Sequence, residues 1–126
     1  MKEIIITKEY LKQHPNEIFV FGDNTIREGM GGAAMLRYEK NVYGFITKKF
    51  PSGRDSDFYN VDEYKKVYND ELEKLIIEIK THSNHIYLIS KLGAGLANKY
   101  NIWEKVIEPN IKKDLKVFKN VKFLWE

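Results

Sequence analysis

Apolar residues fall along this 126-residue chain in two rhythms. Unbroken runs occur at "EIFVFG" (17–22), "HIYLIS" (85–90) and "VKFLW" (121–125). A run without polar alternation suits a strand covered on both faces, as in a parallel sheet. The β-branched run "EIIIT" (3–7) predicts a further strand, and "NVYGFITKKF" (41–50) predicts one interrupted at Gly44. Elsewhere the rhythm is helical. Val61, Tyr64, Tyr68, Leu72, Leu75, Ile76 and Ile79 follow Asn60 and Glu63, which resemble a capping box, and predict a long helix ending near His82. Trp103, Ile107, Ile111 and Leu115 recur every four residues and predict a last helix, which Pro109 either kinks or divides. "KEYLKQH" supplies one or two helical turns before Pro15, and a short helix is predicted from about Gly31 to Glu39. This alternation predicts an α/β fold: one three-layer domain over residues 1–126, with a mostly parallel central sheet flanked by helices.

Two loops share a grammar. "GDNTIREGMGGAA" and "SKLGAGLA" each follow a buried strand and precede a helical segment. In an open α/β sheet, ligands bind at the carboxyl ends of the strands, and glycine lets a phosphate reach backbone N–H groups. Neither loop has the G-x-x-x-x-G-K-[ST] or G-x-G-x-x-G spacing. Each alone reads equally as a tight-turn device; the pair at equivalent positions points to a diphosphate.

Composition narrows the classes. The chain is 43% hydrophobic and 31% charged, with a net charge of +3. The excess is mild and scattered, so duplex nucleic acid is not an expected partner. Cysteine is absent, which removes disulfides, thiolate zinc sites and a cysteine nucleophile. His14, His82 and His85 lack the spacing of a metal site, and no resident cofactor is expected. Charges at positions 2, 3, 8 and 9 and a short apolar run argue against a signal peptide, and no window reaches the length of a membrane span. A cytoplasmic protein without a membrane partner is the expectation.

The order buried strand, "GDN", "GMGGAA", strand, long helix, buried strand, "GAGLA" resembles a reduced macrodomain, the fold that binds ADP-ribose. It is closer still to short bacterial and phage relatives of that fold, which carry an F-G-D/S-N segment, a strand end like "ITKKFP" and a G-x-G-L-A loop. The similarity spans roughly 17–126. The resemblance implies that Asn24 lies near the distal ribose. It also implies that Gly29, Gly31, Gly32 and Ala33 form the first diphosphate segment, and Gly93, Ala94, Gly95 and Leu96 the second, with Gly22 and Leu92 adjoining them. The implied ligand is ADP-ribose or a related diphosphate nucleotide, held by a reader or by a protein that sequesters a nucleotide signal.

Several residues carry two readings. Asp23 and Asn24 either brace the turn or bond ribose hydroxyls or a base edge. In an ADP-ribosyl hydrolase of the same fold Asn24 would orient water with phosphate or Asp23 assisting, Asp23 as a base. Thr47 and Lys48 end a strand beside the same edge; Lys48 is either a point charge for phosphate or a solvated lysine. Arg54 and Asp55 sit in a loop (51–59) long enough to fold over a ligand. Lys91 precedes the second loop, Tyr100 is the candidate for stacking on a base, and Trp103 reads as core. Glu71, Glu73 and Glu78 read as helix-surface charges. A third reading has no small ligand at all, only a protein-interaction module with glycine turns.

Overall fold

Residues 3–126 are described by a computed structural model of the chain; Lys2, whose charge enters the reading of the N-terminus, lies outside them. Four strands form one sheet: β1 (Glu17–Asn24), β2 (Val42–Lys48), β3 (Ile86–Ile89) and β4 (Val121–Phe123). They lie in the order β2-β1-β3-β4, and every pairing is parallel. Three α-helices accompany them: α1 (Lys8–Gln13), α2 (Val61–Thr81) and α3 (Glu108–Leu115). The chain is therefore α/β with an all-parallel sheet.

The apolar side chains of the sheet divide between two cores. Val20, Phe45, Tyr87, Ile89 and Phe123 pack with α2 and α3 through Tyr64, Tyr68, Leu75, Ile79, Ile111 and Leu115. Phe19, Phe21 and Leu88 face the other way, toward Leu11 of α1 and toward Ala34 and Leu36. The faces follow from topology. The chain steps outward from β1 to β2, then back across β1 to β3 and on to β4. A right-handed crossover places its connection on one face for the outward step and on the other for the return. The β1–β2 connection thus shares a core with α1, and the later helices share the opposite one.

The capping box is present: Asn60 Oδ1 accepts from Glu63 N at 2.8 Å, and Asn60 N donates to Glu63 Oε1 at 3.0 Å. The bond from Asn60 N, and one from Lys49 Nζ to Glu63 Oε2 at 3.0 Å, hold the Glu63 carboxyl below its usual range. Helix α2 ends at Thr81 with His82 as its C-cap.

Other elements differ from the sequence patterns. Residues 3–7 are not a strand. Ile4 N donates to Leu124 O at 2.6 Å, but β4 has already ended at Phe123, so the neighbouring strand offers no further ladder. The segment 31–39 is not an α-helix but a 3₁₀ turn, Gly32–Leu36. Gly32 takes φ +57°, which an α-turn cannot use, and a helix nucleus this short repays little of its entropy cost. Strand β2 is continuous through Gly44. Glu71 is not a surface charge: it is buried, and its Oε1 accepts from Ile46 N at 2.7 Å while Tyr64 OH donates to Ile46 O at 2.6 Å. Two side chains of α2 thereby close the open edge of β2, a place where an unpaired strand invites association. Before Pro109 the helix widens into a π-turn, Trp103–Ile107, in which Glu108 N reaches back to Trp103 O. The proline can then enter the first turn of α3, where its missing N–H is not needed.

Candidate functional site

Strands β1 and β3 are neighbours whose onward connections leave in opposite directions. Their carboxyl ends therefore diverge into a crevice, the topological switch point where open α/β sheets bind ligands. The crevice holds a cavity of about 580 Å³. Beneath it, Ser90 Oγ donates to Val20 O at 2.8 Å and fastens the ends of the two strands. A Cβ at Gly22 would stand 2.9 Å from Thr47 Oγ1, so the missing side chain makes room for Thr47, and Gly93 N lies in ordinary contact at 3.5 Å from the same point.

The two glycine segments meet across this cavity. Both line it, and Leu96 Cδ1 lies 3.0 Å from the position a Cβ on Gly31 would occupy. Their amides are largely unspent. Among the described residues, the N–H groups of residues 29–33 find no acceptor, nor do those of Gly93, Gly95, Leu96 and Ala97. Gly93 carries φ +77° and packs against Ile107 and Ile102, so its conformation serves the fold. Gly95 has nothing within 4 Å on its Cβ side.

Asp23 and Asn24 brace this geometry. Asp23 is buried; its Oδ1 accepts from Asn24 N at 2.8 Å and pairs with Arg37 Nη1 at 2.7 Å, while Oδ2 pairs with Arg27 Nη1 at 3.0 Å. Gly44 makes room for that cluster, since a Cβ there would fall 2.7 Å from Arg27 Nη1 and 3.0 Å from Asp23 Cβ. Asn24 Nδ2 donates to Glu28 O at 2.7 Å, and Asn24 Oδ1 accepts from Ile26 N at 3.1 Å. These are turn-bracing bonds. Arg37 then spans the loop: Nε donates to Gly29 O at 2.9 Å and Nη2 to Glu28 O at 3.1 Å, with the guanidinium 5.5 Å above the Phe21 ring.

A strap formed by residues 49–58 borders both segments. Pro51 Cβ lies 3.1 Å from where a Cβ on Gly29 would be, and Asp55 forms an ion pair with Lys99 beyond the second loop. Inside the strap, Asp57 is buried, accepts from Ser52 Oγ and from Arg54 N at 3.3 Å, and forms an ion pair with Arg54 Nε at 3.7 Å. The Ser52 hydroxyl, more than the Arg54 charge, holds the Asp57 carboxyl below its usual range. Lys48 also serves the strap, donating to Pro51 O at 3.3 Å with its ammonium 4.6 Å from the Phe58 ring. Lys91 lies 5.4 Å over the Trp103 ring, and Trp103 is core.

Of the residues singled out from the sequence, Gly22, Asp23, Asn24, Gly29, Gly31, Gly32, Ala33, Thr47, Lys48, Lys91, Gly93, Ala94, Gly95 and Leu96 line the one cavity. Two do not. Leu92 is buried in the core below the loop, and Tyr100 stands outside the lining with its ring beside Lys99. Sequence reasoning missed Arg37, Glu28, Ser90 and Pro51, which also line it. Arg37 reads as one more cation in "LRYEK", and only the fold brings it to Asp23.

Fold and crevice define the class: an all-parallel α/β protein with a glycine-lined cleft at its switch point. Within that class, the chain belongs to a family of unknown function (DUF7831), which matches residues 1–101 and so includes both glycine segments. No curated protein and no solved structure matches the chain. Among the described residues, no helix is long and apolar enough to cross a membrane.

Proposed function

We propose that this protein is a macrodomain-like module that holds ADP-ribose or a related diphosphate nucleotide in the cleft between β1 and β3. It would act as a reader or as a sequestering protein for a nucleotide signal. One observation carries the reading: two runs of amides without internal acceptors, from separate parts of the chain, border the same cavity. Such amides attract anions, and a pair of them suits two linked phosphates. The cavity volume lies within the range of small-molecule sites, roughly 300–1,000 Å³.

Binding is favoured over hydrolysis by the state of Asp23. A general base needs a free carboxylate beside the reacting water. Here both oxygens face arginines, and one also accepts from a backbone amide. Calorimetry with ADP-ribose, NAD and cyclic ADP-ribose tests the proposal. Saturable heat with at least one, and recovery of that ligand unchanged after long incubation, is the expected result. Absence of heat from all three defeats it; steady turnover would move the protein to the hydrolase class.

A further inference from the structure

We infer that Arg37 is the positioning residue that makes the first glycine segment an oxyanion site; this rests on the cleft reading given above. Three features of the side chain support it. It is only 7% exposed, its Nη1 is anchored 2.7 Å from Asp23 Oδ1, and its plane lies over Phe21. Its other two nitrogens take successive carbonyls of one loop, Glu28 O and Gly29 O. Each guanidinium nitrogen therefore has an internal partner, and the side chain is committed first to the backbone it orients.

That orientation follows from peptide geometry. In a planar trans peptide unit the C=O and N–H bonds point in opposite directions. Tying the carbonyls of Glu28 and Gly29 to one guanidinium turns the N–H groups of Gly29 and Met30 away from it. Those two amides have no acceptor among the described residues, and both residues line the cavity. A segment with glycine at 29, 31 and 32 would otherwise sample many peptide orientations. The rigid fork, with Asn24 Nδ2 on the same Glu28 carbonyl, selects one of them, and the two freed donors suit an oxygen of a phosphate group. Lysine cannot replace it, because a single ammonium nitrogen does not present a planar fork.

The experiment titrates ¹⁵N-labelled protein with inorganic pyrophosphate and measures ADP-ribose and adenosine binding by calorimetry, for wild type, R37K and R37M. Pyrophosphate should move the Gly29 and Met30 amide resonances of the wild type. R37K keeps a charge beside Asp23 and should recover most of the melting temperature lost in R37M. It should still lose at least tenfold in affinity for both pyrophosphate and ADP-ribose. Wild-type affinity in R37K overturns the inference. So does an equal proportional loss for adenosine, which has no phosphate. Pyrophosphate shifts elsewhere, with Gly29 and Met30 unmoved, overturn it without any variant. Wild type that binds pyrophosphate but not ADP-ribose ends the nucleotide reading and leaves the role of Arg37 standing; binding of neither ends both.

Discussion

Gly95 and Gly93 stand two residues apart in one loop, and substituting them should damage different things. A Cβ on Gly95 meets nothing within 4 Å, and its backbone is not left-handed. Gly95→Val should therefore change stability by no more than about 0.5 kcal/mol, as for surface substitutions generally. If a phosphate is held by the amides of Gly95 and Leu96, the branched side chain occupies the space the ligand needs. Losing one hydrogen bond to a charged group costs about 1.5–3 kcal/mol, or roughly ten- to a hundredfold in Kd. Gly93→Ala should behave oppositely. Its φ is +77°, and the new Cβ would stand 3.0 Å from Ile107 Cδ1 and 3.2 Å from Ile102 Cδ1. Strain and overpacking together predict a loss of about 1–3 kcal/mol. Thermal melting and calorimetry on the same samples separate the two effects. Gly95→Val that binds ADP-ribose as tightly as wild type would refute the approach of ligand to this backbone. Gly95→Val that melts well below wild type would show that the space is not free.

Three further outcomes follow from the structure. Glu71→Ala leaves Ile46 N without an acceptor in a buried place, costing about 1–3 kcal/mol in urea unfolding, whereas Glu71→Gln keeps an acceptor and should lose much less; equal stability of all three proteins would remove the edge-closing role. Tyr10 donates to Glu17 Oε1 at 2.5 Å, and that bond, with burial second, pushes the phenol from 10.0 up to about 12. The native state thus keeps a proton that the unfolded chain releases, so this contribution is complete below pH 10 and is lost as pH rises toward 12. Tyr10→Phe should flatten that part of the alkaline stability profile, and an unchanged slope would contradict the assignment. Finally, Lys99→Met removes the exposed ion pair that ties the strap to the second loop. Hydrogen exchange at the amides of Asp57 and Lys49 should quicken while the melting temperature stays put, as expected for exposed pairs. Unchanged exchange would mean that the internal Asp57 cage alone holds the strap.

The legible part of this protein was the part written in local periodicity. Continuous apolar runs marked β1 and β3, spacing marked α2, and Asn60 with Glu63 marked its start. The paired glycine loops were legible too, because a strand end followed by glycines has a local signature, and the sheet then brought them to one cavity. Leu92 went astray for a local reason: it sits inside the motif but alternates inward, to the core.

What the sequence determined by itself, then, was a set of strands and helices and two flexible turns at strand ends. Tertiary structure alone decided how charges were spent. Arg37 and Asp23 lie far apart in the chain yet share a buried ion pair. Glu71 turned inward to satisfy an edge amide 25 residues away. Gly44 interrupts no strand, and its missing side chain makes room for a carboxylate from the neighbouring one. The physical reason is range: hydrophobic period repeats within a few residues and can be read along the chain, whereas a buried charge depends on which distant partner the packed backbone delivers to it.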